Sequence, residues 1–176
     1  MNLQRLLKIA YSDSRARRAI SPILQKRSVK LEFGQRLIDE IVNRTQKDNV
    51  DKNGEPFEEY AESYTESKVF EIYGKSDSDV NLTLTEKMLS SMVVKNTSEG
   101  LTIEFADADQ NAKAHGHIHG IKRRSKSGGL RKVRRDFFGV PQDEQIKILK
   151  STVKDFQEDS FDFDTAAEAR DSGGLS

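Results

Sequence analysis

The sequence predicts an α+β fold in which a small antiparallel β-sheet is packed by amphipathic helices. Apolar residues recur at the helical period over residues about 29–46 and again over about 141–158. Between these stretches, apolar and polar residues alternate from Leu101 to Phe105, which is the period of a half-buried strand. With the apolar run before it, this strand predicts a β-hairpin at about 92–106.

The two predicted helices each present one apolar face, and each has a recognisable end. The first helix is followed by turn residues, Asp51-Lys52-Asn53-Gly54. The second begins near Pro141, because proline is favoured at the first helical position. The buried faces are predicted to comprise Phe33, Leu37, Ile38, Ile41 and Val42 in the first helix, and Ile146, Leu149, Val153 and Phe156 in the second.

The two ends of the chain are predicted to extend from one domain spanning residues 29–158. Residues 1–28 are basic and are expected to form a short helix and an extended N-terminal arm, broken at Ser21-Pro22 because a residue before proline avoids the α region. The arm would lie on its own domain or on a neighbouring subunit. Residues 159–176 are acidic, lack a core period and predict an extended C-terminal tail, which Phe161 and Phe163 could anchor to a partner.

Charge is strongly segregated along a chain of 176 residues whose net charge is zero. Residues 1–30 carry eight basic residues and one acid, and residues 121–135 carry eight basic residues and no acid. Residues 51–120 carry fourteen acids against six bases, and residues 136–176 carry ten against four. Such blocks allow like subunits to pair head to tail, although they are also compatible with solvated loops.

Three histidines alternate with other residues in Ala114-His115-Gly116-His117-Ile118-His119. On an extended backbone, residues two apart share a face, so the three imidazoles could converge on a zinc, copper or iron ion. No carboxylate is clearly placed to orient the rings, and the glycines indicate a bend. Structural or inter-subunit roles are therefore favoured over metal binding for His115, His117 and His119.

The segment 121–135 is predicted to be a flexible basic loop, because Ser125 to Gly129 is a Ser/Gly-rich break. Its cations are candidate contacts with an acidic protein neighbour or with DNA phosphates, and solvation alone is a third interpretation. No aromatic residue is interleaved with them, so base stacking is not expected. The candidate interface or DNA-facing residues are Lys122, Arg123, Arg124, Lys126, Arg131, Lys132, Arg134 and Arg135.

Enzyme signatures are missing from the sequence. There is no Gly-rich phosphate loop, no Gly-x-Ser-x-Gly and no His-Glu-x-x-His, so neither an enzymatic activity nor a cofactor is expected. No apolar run approaches the roughly 20 residues that span a bilayer, so no membrane contact is expected.

Several motifs in a fixed order resemble the phage virion morphogenesis family, the neck or tail-completion proteins of tailed bacteriophages. Besides the first helix and the hairpin, the motifs are Asp51-Lys52-Asn53-Gly54-Glu55-Pro56-Phe57, Asn81-Leu82-Thr83-Leu84-Thr85 with Met88-Leu89, Ala112-Lys113-Ala114-His115-Gly116, and Arg135-Asp136-Phe137-Phe138-Gly139-Val140. The resemblance covers roughly residues 29–158. In the last motif we expect Phe137 and Phe138 to plug the junction of sheet and helix. Gly139 would adopt a backbone conformation that a side chain forbids, and Pro141 would start the last helix.

The resemblance implies a structural virion protein that forms a sixfold or twelvefold ring in the neck, as a head–tail connector, a tail-completion protein or a tail terminator. Its partners would be copies of itself, the neighbouring neck, connector, portal or tail-tube proteins, and DNA in the channel. The ring would be assembled in the bacterial host cytoplasm and found in the virion. The alternative is a non-virion nucleic-acid-binding module that uses the basic arm and loop.

Overall fold

A computed structural model describes residues 1–60, 62–74, 80–82, 86–98, 100–124 and 129–171. The helices in this part of the chain are α1 (Leu3–Ala10), α2 (Ser14–Gln25), α3 (Arg27–Asn43), α4 (Glu62–Thr65), α5 (Lys68–Ile72), α6 (Lys87–Ser90), α7 (Ala108–His119) and α8 (Gln142–Asp171). The strands are β1 (Met92–Thr97), β2 (Gly100–Phe105), β3 (Ile121–Arg124) and β4 (Leu130–Val133). They form two two-stranded sheets, β1-β2 and β3-β4. The predicted α+β class and the predicted hairpin at 92–106 are confirmed.

The chain folds into two compact units, each assembled from separated segments. The first unit comprises Met1–Arg36, Lys95–Thr102 and Gln142–Ser176, and the second comprises Leu37–Val94 and Ile103–Pro141. Helix α3 and the β1-β2 hairpin contribute residues to both units. The predicted division into an arm, one domain and a tail therefore differs from the way the chain is organised.

Most of the first 25 residues are helical, in α1 and α2, so the predicted extended arm is wrong. Asn2 caps α1 by accepting a hydrogen bond from the N–H of Arg5 at 3.0 Å, and Asp13 caps α2 by accepting one from the N–H of Arg15 at 2.9 Å. The buried residues of α1 follow the helical period: Leu3, Leu6, Leu7 and Ala10. This apolar stripe packs in the first unit, so the basic residues of the segment lie on a folded element.

Pro22 lies inside α2, and the predicted break at Ser21-Pro22 is wrong. A proline within a helix removes one N–H donor, but here only three residues remain before the helix ends at Gln25. Ile20 and Leu24, one turn apart on either side of the proline, are both buried. Contacts of α2 with α1 and α8 keep the segment helical despite the local preference.

Helix α8 supplies the other half of the first unit's core and is longer than predicted. Leu149, Thr152 and Val153 are buried on it, and α8 contacts both α1 and α2. Arg36 of α3 forms an ion pair with Asp155, Nη1 to Oδ2, at 2.7 Å. The helix continues to Asp171, so the predicted extended tail is wrong as far as that residue. The reason is that residues 159–171 contain three alanines and neither glycine nor proline.

The core of the second unit is built from α3, α6, α7, both strands of the β1-β2 hairpin and the segment after β4. Its buried members are Ile38, Ile41, Phe57, Val80, Leu82, Met88, Leu89, Met92, Ala114 and Phe137. Val94, Ile103 and Phe105 of the hairpin pack against this cluster. The helix predicted at 29–46 is confirmed as α3, which continues into a π-helical turn at Arg44–Asp48 and ends at Asn49 in the left-handed region, φ 57°. Residues 83–85, which include part of one motif, lie outside the described residues.

Candidate functional site

The segment Arg135–Val140, called here the RDFFG turn, is held by side chains from other segments of the second unit. Arg135 is 5% exposed and reaches the segment before α4. Its Nη2 donates to the carbonyl oxygens of Glu58 at 2.7 Å and Glu59 at 2.9 Å, and its Nε donates to Glu58 at 3.1 Å. The guanidinium also lies 5.2 Å from the ring centroid of Tyr60. Arg135 was predicted to face a partner or DNA; it is instead a buried structural residue.

Asp136 connects the RDFFG turn to the turn after α3. Its Oδ2 is 2.9 Å from Lys52 Nζ and 2.6 Å from Arg134 Nη2, and its carbonyl accepts the N–H of Lys52 at 3.0 Å. Asp51 in turn accepts the N–H groups of Asn53 at 2.7 Å and Glu55 at 3.1 Å. The predicted turn at Asp51–Gly54 is therefore present, and its Lys52 binds the carboxylate of Asp136.

Arg44, in the π-helical turn, satisfies the carbonyl groups at the other end of the RDFFG turn. Its Nη2 donates to the carbonyls of Phe137 at 2.8 Å and Gly139 at 2.9 Å. Burial lowers the pKa of the Arg44 guanidinium, and the nearby carboxylates of Glu40, Asp51 and Asp48 oppose that shift. Arg44 was not among the residues predicted from the sequence, although its spacing from Leu37 and Ile41 continues the buried stripe of α3 and indicates burial.

The aromatic residues of the turn occupy the predicted positions. Phe137 is fully buried and Phe138 partly buried, and both rings contact Phe105 of β2, with centroid distances of 6.4 and 5.4 Å. Gly139 has φ 121°, a region that residues with a side chain rarely adopt. Pro141 is exposed and directly precedes α8. The predicted plug and the predicted glycine conformation are confirmed.

The three histidines lie on helix α7, not on an extended strand. On a helix, residues two apart point to different sides, so His117 is separated from the other two. His115 and His119, four residues apart, bring their ring centroids to 4.1 Å. Among the residues that the structure describes, no group of three His, Cys, Asp or Glu side chains could hold a metal ion. The convergence of three imidazoles, on which the metal hypothesis depended, is therefore wrong.

The predicted basic loop forms a second hairpin, β3-β4. Its base is closed by the pair Ile121↔Val133 and by hydrogen bonds back to α7, from Arg134 Nε to the carbonyl of Ile118 at 2.8 Å and from the N–H of Arg135 to the carbonyl of His117 at 2.8 Å. These contacts order the strands although their sequence is polar. The prediction of a flexible loop is wrong for 121–124 and 130–135. Residues 125–128, including the candidate Lys126, lie outside the described residues.

The register of the β3-β4 hairpin places like charges opposite one another. Lys122 pairs with Lys132, and Arg123 pairs with Arg131. Both lysines are exposed. Like charges at directly opposite positions destabilise a hairpin, and residues 121–135 contain no acid to compensate. The register thus concentrates positive charge in the hairpin, and anions would stabilise it.

Tyrosine and phenylalanine rings form a cluster beside Arg135. The ring centroids of Tyr60, Tyr64 and Phe70 lie 5.1 to 5.8 Å apart, and Phe70 is buried. The cluster attaches the acidic segment after α3 to the second unit. Ile72 and Tyr73, just beyond it, are exposed.

Comparison of the chain with protein-family models, curated proteins and solved structures found no match. Within the part of the chain that the structure describes, no helix is long and apolar enough to cross a membrane.

Proposed function

We propose that the chain is a structural virion protein of a tailed bacteriophage, forming a ring in the neck that joins the DNA-filled head to the tail. The observation that carries the proposal is where the motifs of the resemblance lie. The first helix and the hairpin contribute residues to both units, and the described residues of the other motifs, although far apart in the sequence, lie in the second unit with the RDFFG turn.

Each of these motifs has a contact with the turn or with the core beneath it. Lys52 of the first motif binds Asp136, and Phe57 belongs to the same core cluster as Phe137. Met88 and Leu89 belong to that cluster as well, together with Ala114 from the histidine motif. A set of motifs that packs as one structural unit supports the resemblance more strongly than the same motifs scattered over a sequence would.

A ring also requires a surface that is complementary to a different surface of the next copy. Such heterologous contacts close into a ring when the rotation between copies allows it. The basic β3-β4 hairpin and the acidic second half of α8 are two segments of opposite charge on one chain. The expected symmetry is sixfold or twelvefold, since the resembling proteins meet portal and tail rings.

The test is the composition of phage particles. The gene is expressed from its phage in the bacterial host, and purified mature virions are analysed by quantitative mass spectrometry. We expect six or twelve copies per particle, and cryo-electron microscopy should locate them between head and tail. Absence of the chain from mature virions would overturn the proposal.

The alternative function, a non-virion nucleic-acid-binding module, is favoured by one observation, the like-charged register of the β3-β4 hairpin. Phosphate contacts make binding to duplex DNA steeply salt-dependent, with a log–log slope of about −0.9 for each phosphate neutralised. A salt series with labelled duplex DNA separates the two functions. A slope beyond about −4 that Lys122→Ala and Lys132→Ala reduce, together with absence from virions, would establish the alternative.

A further inference from the structure

Two histidines, His115 and His119, bring their rings together on the surface of α7. They are four residues apart, and a helical backbone places such residues on the same face. Their ring centroids are 4.1 Å apart, and the ring planes are inclined by 41°. Both residues are exposed, so an ion in solution can reach the two imidazoles.

The separation of the two rings is close to the separation that binding to one metal ion requires. Two imidazoles bound to a tetrahedral zinc ion have ring centroids roughly 5 Å apart, given zinc–nitrogen bonds of about 2.0–2.1 Å. The observed 4.1 Å is about 1 Å shorter. Small rotations of two exposed side chains can cover that difference without a change in the backbone.

The ligand type determines which ions the pair would bind. Imidazole nitrogen suits zinc, copper and nickel, whereas magnesium and calcium prefer oxygen ligands. In the described part of the chain, no group of three His, Cys, Asp or Glu side chains could hold a metal ion, so the pair would supply two ligands and water the others. Such a site should bind more weakly than a structural zinc site with four protein ligands.

The turn of α7 that carries the pair also supports the segments that follow it. The N–H of Arg135 donates to the carbonyl of His117 at 2.8 Å. Arg134 Nε donates to the carbonyl of Ile118, also at 2.8 Å. Gly116 lies in the same turn, and glycine weakens a helix interior. An ion bound to a histidine on each side of this turn would therefore stabilise its helical form.

We propose that His115 and His119 form a two-imidazole site for a divalent first-row transition-metal ion such as zinc, and that the bound ion stabilises the end of α7. The site is independent of the proposed neck function. It consists of two histidines on a helix, where the sequence had suggested three on an extended strand.

The experiment titrates the full chain, purified without a polyhistidine tag, with zinc. Magnesium is the negative control, and the pH is about 7.5, because imidazole must be neutral to bind a metal. Isothermal titration calorimetry measures the dissociation constant and the number of ions bound per chain. We expect a single zinc ion per chain and no binding of magnesium.

Three variants test the spacing of the ligands. His115→Gln, His117→Gln and His119→Gln each retain two histidines, but only His117→Gln retains the pair that is four residues apart. We expect His115→Gln and His119→Gln to weaken zinc binding at least about tenfold. His117→Gln, the matched control, should bind zinc as the unmodified chain does. Thermal melting without metal verifies that each variant is folded.

Two further measurements do not depend on the folding of the control. Electron paramagnetic resonance of the copper(II)-loaded unmodified chain should detect two coordinated imidazoles. Amide hydrogen exchange of the peptide that contains α7 should become slower when zinc is added to the unmodified chain, because a ligand that binds the folded helix reduces its local opening. The same addition should leave exchange unchanged in His115→Gln and His119→Gln.

Several outcomes would overturn the site. Undiminished zinc binding in His115→Gln or His119→Gln would do so, as would an equal loss in folded His117→Gln. The site is also excluded if the unmodified chain binds no zinc at concentrations up to about 1 mM, or if the copper spectrum shows fewer than two imidazoles. Zinc binding to the pair without slower exchange would refute the stabilisation of α7. None of these results depends on whether the chain is found in virions, so the site and the proposed function can fail separately.

Discussion

At the scale of single residues, Arg134 and Arg135 are neighbours in the chain with opposite environments. The side chain of Arg134 is 59% exposed, whereas Arg135 as a residue is 5% exposed. The sequence could not distinguish them, because both close a run of cations and neither follows an apolar period. What decides the difference is the pair of carbonyl groups at Glu58 and Glu59, more than 70 residues earlier in the chain.

Replacement of Arg135 by alanine should destabilise the fold. The change leaves two carbonyl groups without their charged donor, so the free energy of unfolding should fall by about 2–4 kcal/mol. Urea denaturation followed by circular dichroism measures it. The matched variant Arg134→Ala should cost less than about 1 kcal/mol, since the Arg134 side chain is 59% exposed and Asp136 keeps its ion pair with Lys52. Equal effects of the two changes would contradict the structural role assigned to Arg135.

Tyr60 provides a prediction for alkaline pH. Burial raises the pKa of the Tyr60 phenol above its ordinary value of 10.0, although backbone groups of Leu82 and Asn81 and the charge of Arg135 act in the opposite direction. Below pH 10 the phenol is protonated in both states, so its contribution to stability is fully present. Above pH 10 the unfolded state ionises first, and this contribution is lost as the pH rises through the folded pKa.

The measurement compares the unmodified chain with Tyr60→Phe near pH 8 and near pH 11 by urea denaturation. The free energy of unfolding of the unmodified chain should decrease relative to that of the variant at the higher pH. Tyr73→Phe, which removes a phenol from a half-exposed ring, is the control for the substitution itself. A constant difference between the unmodified chain and Tyr60→Phe at both pH values would refute the prediction.

At the scale of elements, the sequence predicted those that have a clear period and a core to pack against. Helix α3 and the β1-β2 hairpin are of this kind, and so are the positions of Phe137 and Gly139. The histidine segment was considered on an extended backbone because its three histidines alternate with other residues, and Gly116 and Gly120 predicted a bend. It is helical because Asp107 caps α7, accepting the N–H groups of Asp109 at 2.7 Å and Gln110 at 3.1 Å, and because Ala114 is fully buried.

The β3-β4 hairpin was the element least accessible to prediction. Neither of its strands is rich in β-formers, and the like-charged pairs oppose strand formation. The hairpin is held at its base by α7 and the RDFFG turn, which are tertiary contacts without a local signal. For the same reason, the charges of the candidate site could be listed from the sequence, but the residues that support it, Arg44 and Arg135 above all, could not be assigned.

Pro22 within α2 gives a prediction at this scale. It is exposed and so contributes little packing, while its missing N–H leaves the helix one hydrogen bond short. Pro22→Ala should raise the free energy of unfolding by about 1–2 kcal/mol, less than the full helix penalty of proline because alanine also increases the freedom of the unfolded chain. Thermal melting of the two proteins in parallel tests it, with the exposed Ser28→Ala change in α3 as control. A lower melting temperature for Pro22→Ala would contradict the prediction and would show that the pyrrolidine ring of Pro22 stabilises the protein.

At the scale of the whole molecule, folding of the first unit is predicted to depend on the first half of α8. Leu149, Thr152 and Val153 are buried there, and α8 contacts both α1 and α2. A chain ending at Lys147 lacks these side chains, so the first unit should lose its cooperative unfolding transition. Urea denaturation followed by circular dichroism measures the transition. A truncated chain that unfolds as the full chain does would contradict the prediction.

The discontinuous build of the two units has a consequence for synthesis on the ribosome. The second unit is complete once Pro141 has emerged, whereas the first unit must wait for α8, the last helix to be made. The first unit therefore contains the segment that is synthesised first, but it is the last unit that can fold. Until then the apolar stripe of α1, with Leu3, Leu6 and Leu7, has no α8 to cover it. The nascent chain therefore exposes the apolar stripe of α1 until α8 has been synthesised. We expect a chaperone to bind this segment during translation.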